Sequence, residues 1–116
     1  MLFRSWNRTR DKLAEVAKDL TLENLADFAA RKPDLIVEAS HSDISREYGE
    51  KFLAAADYMP LSVTALADDA LRERMQAAAS CSGRHLILPQ GALVGTDALL
   101  NWRHMWREVQ IGRAHV

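Results

Sequence analysis

The chain has 116 residues, of which 48% are apolar, and this suits one small globular domain or part of a larger one. It carries 15 basic and 16 acidic residues, which give a formal net charge of -1 at pH 7. Because these charges are interspersed along the chain, we expect no nucleic acid among its partners. The apolar stretches are only as long as strands, so we also expect no membrane-spanning helix and no membrane partner.

The cysteine and histidine residues indicate neither a disulfide framework nor a metal site. Cys81 is the single cysteine, so an internal disulfide is impossible and a reducing compartment is favoured. The four histidines are scattered without the spacing of metal ligands. From this spacing we expect no bound metal. The first residues lack the apolar segment of a secretory signal, and we therefore expect a cytoplasmic protein.

The first third of the chain predicts two helices and a strand. Apolar residues recur at helical spacing over residues 11–20, which predicts a surface helix. A second helix is expected over residues 22–31, with the Thr21 hydroxyl as its N-cap and Pro33 as its stop. The short branched segment at residues 35–37 is typical of a buried strand in a parallel sheet.

The middle of the chain continues this alternation. Ser42 begins a predicted helix with a continuous apolar stripe. A second strand is expected over residues 58–64, where Pro60 favours the residues after it as the paired portion. A further helix is predicted over residues 68–79, and Gly83 ends it.

The last part of the chain predicts a third strand at residues 84–88, a helix opened by Thr96 and Asp97, and a strand near residues 106–110. Regular alternation of strands and helices is the pattern of an α/β fold with a parallel sheet. Ligands of such sheets bind at the carboxyl ends of the strands. The loops at those ends, residues 38–41, 63–68 and 89–95, are rich in small residues, which suggests room for a bound molecule.

Short motifs occur in these loops and in the helices that follow them. In chain order they are Val-Glu-Ala-Ser-His at 37–41, Arg-Glu-Tyr-Gly at 46–49, Ala-Leu-Ala-Asp at 65–68, Arg-Glu-Arg at 72–74, Gly-Ala-Leu-Val-Gly at 91–95 and Asp-Ala-Leu at 97–99. With this order and spacing, the chain resembles the L-aspartate dehydrogenase family, in particular its animal members, over nearly all of residues 6–101.

The resemblance implies a function and a place in a larger fold. Members of the family have a Rossmann domain followed by an α+β domain, and they oxidise L-aspartate to iminoaspartate with NAD or NADP, a step of NAD biosynthesis. Residues 6–110 would be the distal part of the Rossmann domain: a partial Rossmann-like parallel sheet with flanking helices. The first strand and the glycine-rich turn would be missing, because no Gly-x-Gly-x-x-Gly precedes Trp6.

The same resemblance assigns candidate cofactor-binding residues to four places. One lies at the end of the family's second strand and the others lie in the three loops at the sheet edge. They are Asn7, Ala39, Ser40, Thr64, Ala65, Gly91 and Ala92.

At two of these places, the role of the residue is open. Asn7 beside Arg8 leaves room for the 2′-phosphate of NADP, whereas a carboxylate there would favour NAD. Asn7 is equally well explained as an N-cap for the residues that follow. At Gly91, the preceding residue is Gln90 where the family has Ser, which puts a substrate role of that position in doubt.

We expect no catalytic residue in this chain. The family's catalytic histidine belongs to the second domain, and His41, at the start of a predicted helix, is better explained as a structural residue. The segment alone would then neither bind dinucleotide tightly nor oxidise aspartate. Homo-oligomers of the complete protein would form through the second domain.

Both ends of the chain look non-native. Residues 2–5 and 111–116 can be encoded by DNA sequences that are partly reverse complements of each other, and both resemble ligation adapters of short-read sequencing. We therefore interpret residues 1–5 and 111–116 as added sequence and 6–110 as the native part, the alternative being a coincidental codon match.

Two other functions stay open at this point. A related Rossmann oxidoreductase of the homoserine dehydrogenase or dihydrodipicolinate reductase type would share the fold and act on another substrate. A non-catalytic dinucleotide-binding protein would keep the fold and the cofactor without turnover.

Overall fold

The computed structural model describes residues 3–89, 100–105 and 107–108. Between Leu35 and Ser82, two strands and two α-helices alternate: β1 at Leu35–Glu38, α1 at Ser42–Ala55, β2 at Asp57–Pro60 and α2 at Asp69–Ser82. Short 3₁₀ helices surround this unit, at Arg10–Leu13, Lys18–Leu20, Leu25–Arg31, Val63–Ala67 and Arg103–Met105.

The sheet is parallel, as the alternation predicts. β1 and β2 pair in parallel from Leu35 opposite Asp57 to Glu38 opposite Pro60, and α1 makes the crossover between them. Leu86 extends the sheet beyond β2 through a parallel bridge to Tyr58. The predicted α/β fold with parallel strands is therefore confirmed, whereas the third strand, expected over residues 84–88, is reduced to this one bridge.

The prediction for β2 was wrong about which side of Pro60 is paired. In a parallel ladder, successive N–H groups point alternately to the two neighbouring strands. Asp57 N and Leu61 N donate to Asp34 O and Glu38 O of the β1 side, at 3.1 and 2.8 Å. The nitrogen of Pro60 therefore faces the other neighbour, so its missing N–H leaves the β1 pairing intact. It removes the next bond on the Leu86 side, where the pairing is a single bridge.

α1 and α2 agree with their predicted positions, and their ends have identifiable caps. His41 caps α1, since its Nδ1 accepts from Asp43 N at 3.3 Å. Asp68 caps α2, since its Oδ1 accepts from Leu71 N at 3.1 Å. Gly83 follows the last helical residue with φ of 63°, in the left-handed region that glycine adopts at helix ends. α2 thus runs to Ser82, beyond the predicted end.

The core lies between the helices and one face of the sheet. Phe52 of α1 is at its centre, with ring centroids at 4.8 Å from Phe28 and 5.1 Å from Tyr58. α1 also lies close to α2, because a Cβ built on Gly49 would come within 2.8 Å of Met75 Cε. Glycine at this position therefore allows the buried Met75 side chain to pack directly against the backbone of α1.

The helix predicted over residues 11–20 was wrong. The chain forms two short 3₁₀ helices there, Arg10–Leu13 and Lys18–Leu20, neither of which contains a buried residue. An isolated helix of this length needs packing of its apolar face to be stable in water. That packing is weak among the described residues, since Leu13, Val16 and Leu20 are only half-buried.

The second predicted helix, over residues 22–31, is a 3₁₀ helix at Leu25–Arg31 with a different cap. Asn24 Oδ1 accepts from Ala26 N at 3.0 Å, whereas the Thr21 hydroxyl donates to Lys18 O at 2.8 Å. Two residues compete for the same role, and the one with the correct spacing to the helix takes it.

β1 is also less buried than predicted. Leu35 and Val37 are 44% and 50% exposed, although Glu38 on the alternate face is buried. Side chains of a strand alternate between its two faces, and within the described residues only one face of β1 is covered by helices. The expectation of a strand buried on both faces is wrong for this part of the chain.

The remaining predicted elements fall mostly outside the described residues. These are the helix start at Thr96 and Asp97 and most of the strand near residues 106–110. Leu100 and Asn101, which are described, are helical. Among the described residues, no helix combines the length and apolar character needed to cross a membrane.

Candidate functional site

The candidate site lies at the carboxyl ends of β1 and β2, where the side chain of Glu38 joins two loops. Its Oε1 accepts from Ser40 N at 2.5 Å and from Ser62 Oγ at 3.1 Å. Its Oε2 accepts from Ser62 N at 3.1 Å. Glu38 is only 4% exposed, so these donors replace the water that its charged group loses on burial. The loop after β1 and the loop after β2 are therefore held at one point.

Ser62 bonds to Glu38 through its hydroxyl as well as its backbone N–H. It is the N-cap residue of the 3₁₀ helix Val63–Ala67, a position where a serine hydroxyl often accepts a bond from the helix. Here it makes no cap bond and donates to Glu38 instead. The adjacent Leu61 N donates to Glu38 O at 2.8 Å, so backbone and side chain of Glu38 both contact the second loop.

Three of the predicted cofactor-binding residues present accessible groups at this edge. Ala39, Ser40 and Thr64 are exposed. The hydroxyls of Ser40 and Thr64 make no hydrogen bond to any part of the chain that the structure describes, so they are available to a ligand. Ala39 has only a methyl group, which lets a bound molecule approach the backbone closely.

Ala65, the fourth predicted residue of these two loops, has its side chain in the core. It is fully buried, and its carbonyl accepts from Asp68 N at 3.2 Å. Since a buried methyl group cannot reach a ligand, any contact to a cofactor would use the main chain of Ala65.

Asn7 lies apart from these loops, beside an open pocket of about 420 Å³. Its Oδ1 accepts from Thr9 N at 2.8 Å, a local turn that agrees with the capping alternative for this residue. Ser5 forms a parallel bridge with Thr21, which places Asn7 just after a strand-like segment. The pocket is lined by Asn7, Arg10, Leu13, Ala14, Val16, Lys18, Thr21, Leu22 and Glu23.

Below the site, Tyr58 and Ser45 form a buried pair between β2 and α1, with 2.7 Å between their hydroxyl oxygens. Burial raises the pKa of Tyr58 to about 12, the bond to Ser45 opposes this shift, and the negative charge of Glu38 adds to it. The phenol is therefore neutral at physiological pH, and it contributes structure beneath the loops rather than a titrating group.

Comparison with known proteins identifies the kind of domain. The profile of the family described as "Homoserine dehydrogenase, NAD binding domain" matches residues 2–89. The chain belongs to this family of NAD-binding domains. Membership agrees with the predicted cofactor, NAD or NADP, and with a site at the carboxyl ends of the parallel strands.

Curated relatives of this NAD-binding domain carry the name that the sequence motifs indicate. An aspartate dehydrogenase domain-containing protein of Xenopus tropicalis is 45% identical over 93 residues, which are 79% of this chain and 33% of that protein. An L-aspartate dehydrogenase 1 of Bordetella pertussis is 43% identical over 77 residues, 66% of this chain and 30% of that protein. The predicted resemblance to the L-aspartate dehydrogenases is confirmed, and the chain spans about one third of the length of these relatives.

A solved structure supports the fold independently. The crystal structure of aspartate dehydrogenase from Thermotoga maritima matches 87% of this chain and 41% of its own, with a TM-score of 0.61 and 23% sequence identity. The Rossmann-like arrangement of the NAD-binding domain is thereby confirmed.

Two residues of the predicted site are not described by the structure. Gly91 and Ala92 lie outside the described residues, and their cofactor contacts stay a prediction.

Among the residues that are described, no group of three His, Cys, Asp or Glu side chains is placed to hold a metal ion.

Sequence reasoning placed Glu38 in the loop at the sheet edge but gave it no role, and it did not include Ser62. The signal for Glu38 is a charged residue directly after three apolar strand residues, at a depth where a carboxylate requires partners. No such signal marks Ser62, because it lies 24 residues away and reaches Glu38 only once the strands pair.

Proposed function

We propose that this chain is the cofactor-binding part of an NAD(P)-dependent L-aspartate dehydrogenase, which oxidises L-aspartate to iminoaspartate. The observation that carries the proposal is the pair of loops joined by Glu38, with accessible groups on Ser40 and Thr64, in a domain of the NAD-binding family. Relatives that are 40–45% identical and named for aspartate dehydrogenase support the substrate.

The residues at the sheet edge fit a dinucleotide. Small side chains and exposed hydroxyls suit contacts to a pyrophosphate and a ribose, which offer many hydrogen-bond acceptors and hydroxyl groups. Ser40 and Thr64 would bind these groups through their hydroxyls, and Ala39 would let the cofactor approach the backbone. When bound, the nicotinamide ring supplies the acceptor for the hydride that leaves the substrate.

We propose no catalytic residue within this chain. His41 caps α1 with the ring nitrogen that faces the helix, which supports its structural role. The acid–base group of the reaction and the contacts to aspartate would come from the second domain of the complete protein, which is also where we propose that its subunits associate.

The test is aspartate-dependent reduction of NAD⁺ and NADP⁺ by the complete protein that carries this segment. We expect reduced cofactor to form with L-aspartate and not with D-aspartate. Binding of NAD by calorimetry without turnover of any amino acid would instead support the non-catalytic dinucleotide-binding protein. The segment alone is expected to bind weakly and to be inactive.

A related oxidoreductase with another substrate is the second candidate, favoured by the description of the matching family as a homoserine dehydrogenase domain. The same assay with L-homoserine separates the two functions. Faster reduction with homoserine than with aspartate would overturn the proposed substrate and leave the cofactor role intact.

A further inference from the structure

The contacts of Glu38 extend beyond what the sheet itself requires. β1 and β2 are already held together by their parallel ladder, from Leu35 opposite Asp57 to Glu38 opposite Pro60. Among the described residues, the side chain of Glu38 bonds only to groups that follow the strands, namely Ser40 N, Ser62 N and Ser62 Oγ. What this side chain adds is a fixed distance between the two loops.

Burial of the Glu38 carboxylate removes its hydration, which is unfavourable unless hydrogen-bond donors replace the water. An ionised carboxylate accepts hydrogen bonds and donates none, so three donors are needed to replace its hydration. The ion pairs among the described residues do not include Glu38, so its charge is compensated there by loop donors alone. An apolar side chain would fill the same space without that requirement, yet it would hold neither loop.

We infer that Glu38 is a positioning residue for the dinucleotide: its carboxylate fixes the loops that carry Ser40 and Thr64 in their binding arrangement. The inference rests on the proposed function. Glu38 does not itself contact the cofactor, since its side chain is buried and its hydrogen-bonding capacity is directed at the loops. Preorganised loops raise affinity because binding then costs less conformational entropy.

The variants that test this role change one contact at a time. Glu38→Gln keeps the size but turns one acceptor into an amide donor, which then opposes an N–H or O–H donor of the loops. Ser62→Ala removes the hydroxyl donor and keeps the backbone N–H, and Ser62→Thr restores the hydroxyl. Glu73→Gln, on the exposed side of α2, is the matched control for the change of charge.

The experiment measures dissociation constants of NAD and of AMP for the complete protein by calorimetry. AMP carries the adenosine, which the resemblance places near Asn7, and one phosphate, and it lacks the second phosphate and the nicotinamide ribose, so it offers fewer of the groups that the loops after β1 and β2 would bind. We expect Glu38→Gln to raise the Kd of NAD about tenfold and to change that of AMP less than about twofold. Ser62→Ala should raise the Kd of NAD by a smaller factor, and Ser62→Thr and Glu73→Gln should match the wild type.

Each other outcome overturns a specific statement. Unchanged NAD binding by Glu38→Gln overturns the inference, and so does an equal loss of NAD and AMP affinity, which indicates general destabilisation. If Glu38→Gln does not fold, the test uses Ser62→Ala. A ratio of the NAD and AMP dissociation constants that is the same in Ser62→Ala and the wild type then overturns the inference. A wild-type protein that binds neither NAD nor NADP overturns the proposed function itself.

Discussion

The hydroxyl of Tyr58 lies 2.7 Å from that of Ser45, and both side chains are fully buried between β2 and α1. This bond joins the second strand to the first turns of the helix that follows the first strand. Each hydroxyl satisfies the other, so neither is left without a partner in the core.

Burial of the Tyr58 phenol predicts a specific loss of stability at high pH. The pKa of Tyr58 is raised to about 12 in the folded chain, above the value of about 10 for an unfolded one. The stabilisation is therefore fully present below about pH 10 and lost as the pH rises towards about 12, by ~1.4 kcal/mol per pH unit. Denaturant unfolding of the wild type and Tyr58→Phe should show this slope in the wild type alone. Equal slopes would contradict the assignment.

Phe52→Ala should be among the most destabilising substitutions. Phe52 is 1% exposed and its ring contacts those of Phe28, Tyr48 and Tyr58, so its removal leaves a cavity at the centre of the core. We expect a loss of about 3–5 kcal/mol in the free energy of unfolding, measured by chemical denaturation. The control is Phe3→Ala, at a residue that is 62% exposed, for which we expect a change below about 0.5 kcal/mol.

Gly83→Ala should destabilise the end of α2 through backbone conformation alone. Gly83 has φ of 63°, and an added Cβ would meet no atom within 4 Å. The expected cost is about 1 kcal/mol, since the left-handed region is unfavourable for alanine. Gly83→Asn should cost less, because asparagine tolerates this region better. Thermal denaturation of the two variants checks the order, and an Asn variant less stable than the Ala variant would refute the explanation.

Asp57 should contribute to unfolding at acidic pH. The backbone N–H of His85 donates to its carboxylate at 2.9 Å and lowers the pKa of Asp57 below its ordinary value, against a smaller opposing effect of burial. The stabilisation is present above that ordinary pKa and is lost as the pH falls through the lowered one. Asp57→Asn should therefore flatten the decrease in stability below about pH 4. Asp27→Asn, at an exposed carboxylate, should leave the decrease as it is.

The pocket beside Asn7 predicts which positively charged side chain affects the relative affinity for NADP and NAD. Arg10 and Lys18 line this pocket, whereas Arg8, which follows the predicted site residue Asn7, is exposed and does not line it. In the complete protein, Arg10→Ala should raise the Kd of NADP by about tenfold and that of NAD much less. Arg8→Ala is the matched control. A larger effect of Arg8→Ala than of Arg10→Ala would contradict this prediction.

The elements that could be predicted from sequence are those whose pattern and packing agree. α1 and α2 have apolar stripes that face the core, and β1 is a short branched segment between polar residues. Residues 11–20 have a similar stripe, yet their apolar side chains find little to pack against among the described residues. Spacing alone shows where a helix would bury its face, and it does not show whether anything covers that face.

The site was predictable in its location and not in its construction. Small residues after the strands indicate the edge that carries the candidate site, and Ala39, Ser40 and Thr64 are exposed there. The contact between Glu38 and Ser62 depends on the parallel register of the two strands, which no local pattern contains. Burial of Ala65 is likewise a property of the assembled core.

The crossover from β1 through α1 to β2 has a kinetic consequence. Only α1 separates its strands along the chain, and α2 follows β2 after the short 3₁₀ helix Val63–Ala67, so most of the described core belongs to one continuous stretch. Contacts that are close in sequence form quickly, because little chain entropy is lost in closing the loop between them. During synthesis, this stretch can fold as it leaves the ribosome, before the residues on either side of it pack against it. Its amides should exchange with solvent more slowly than those of the 3₁₀ helices at Arg10–Leu13 and Lys18–Leu20, because it holds most of the buried core and those helices contain no buried residue.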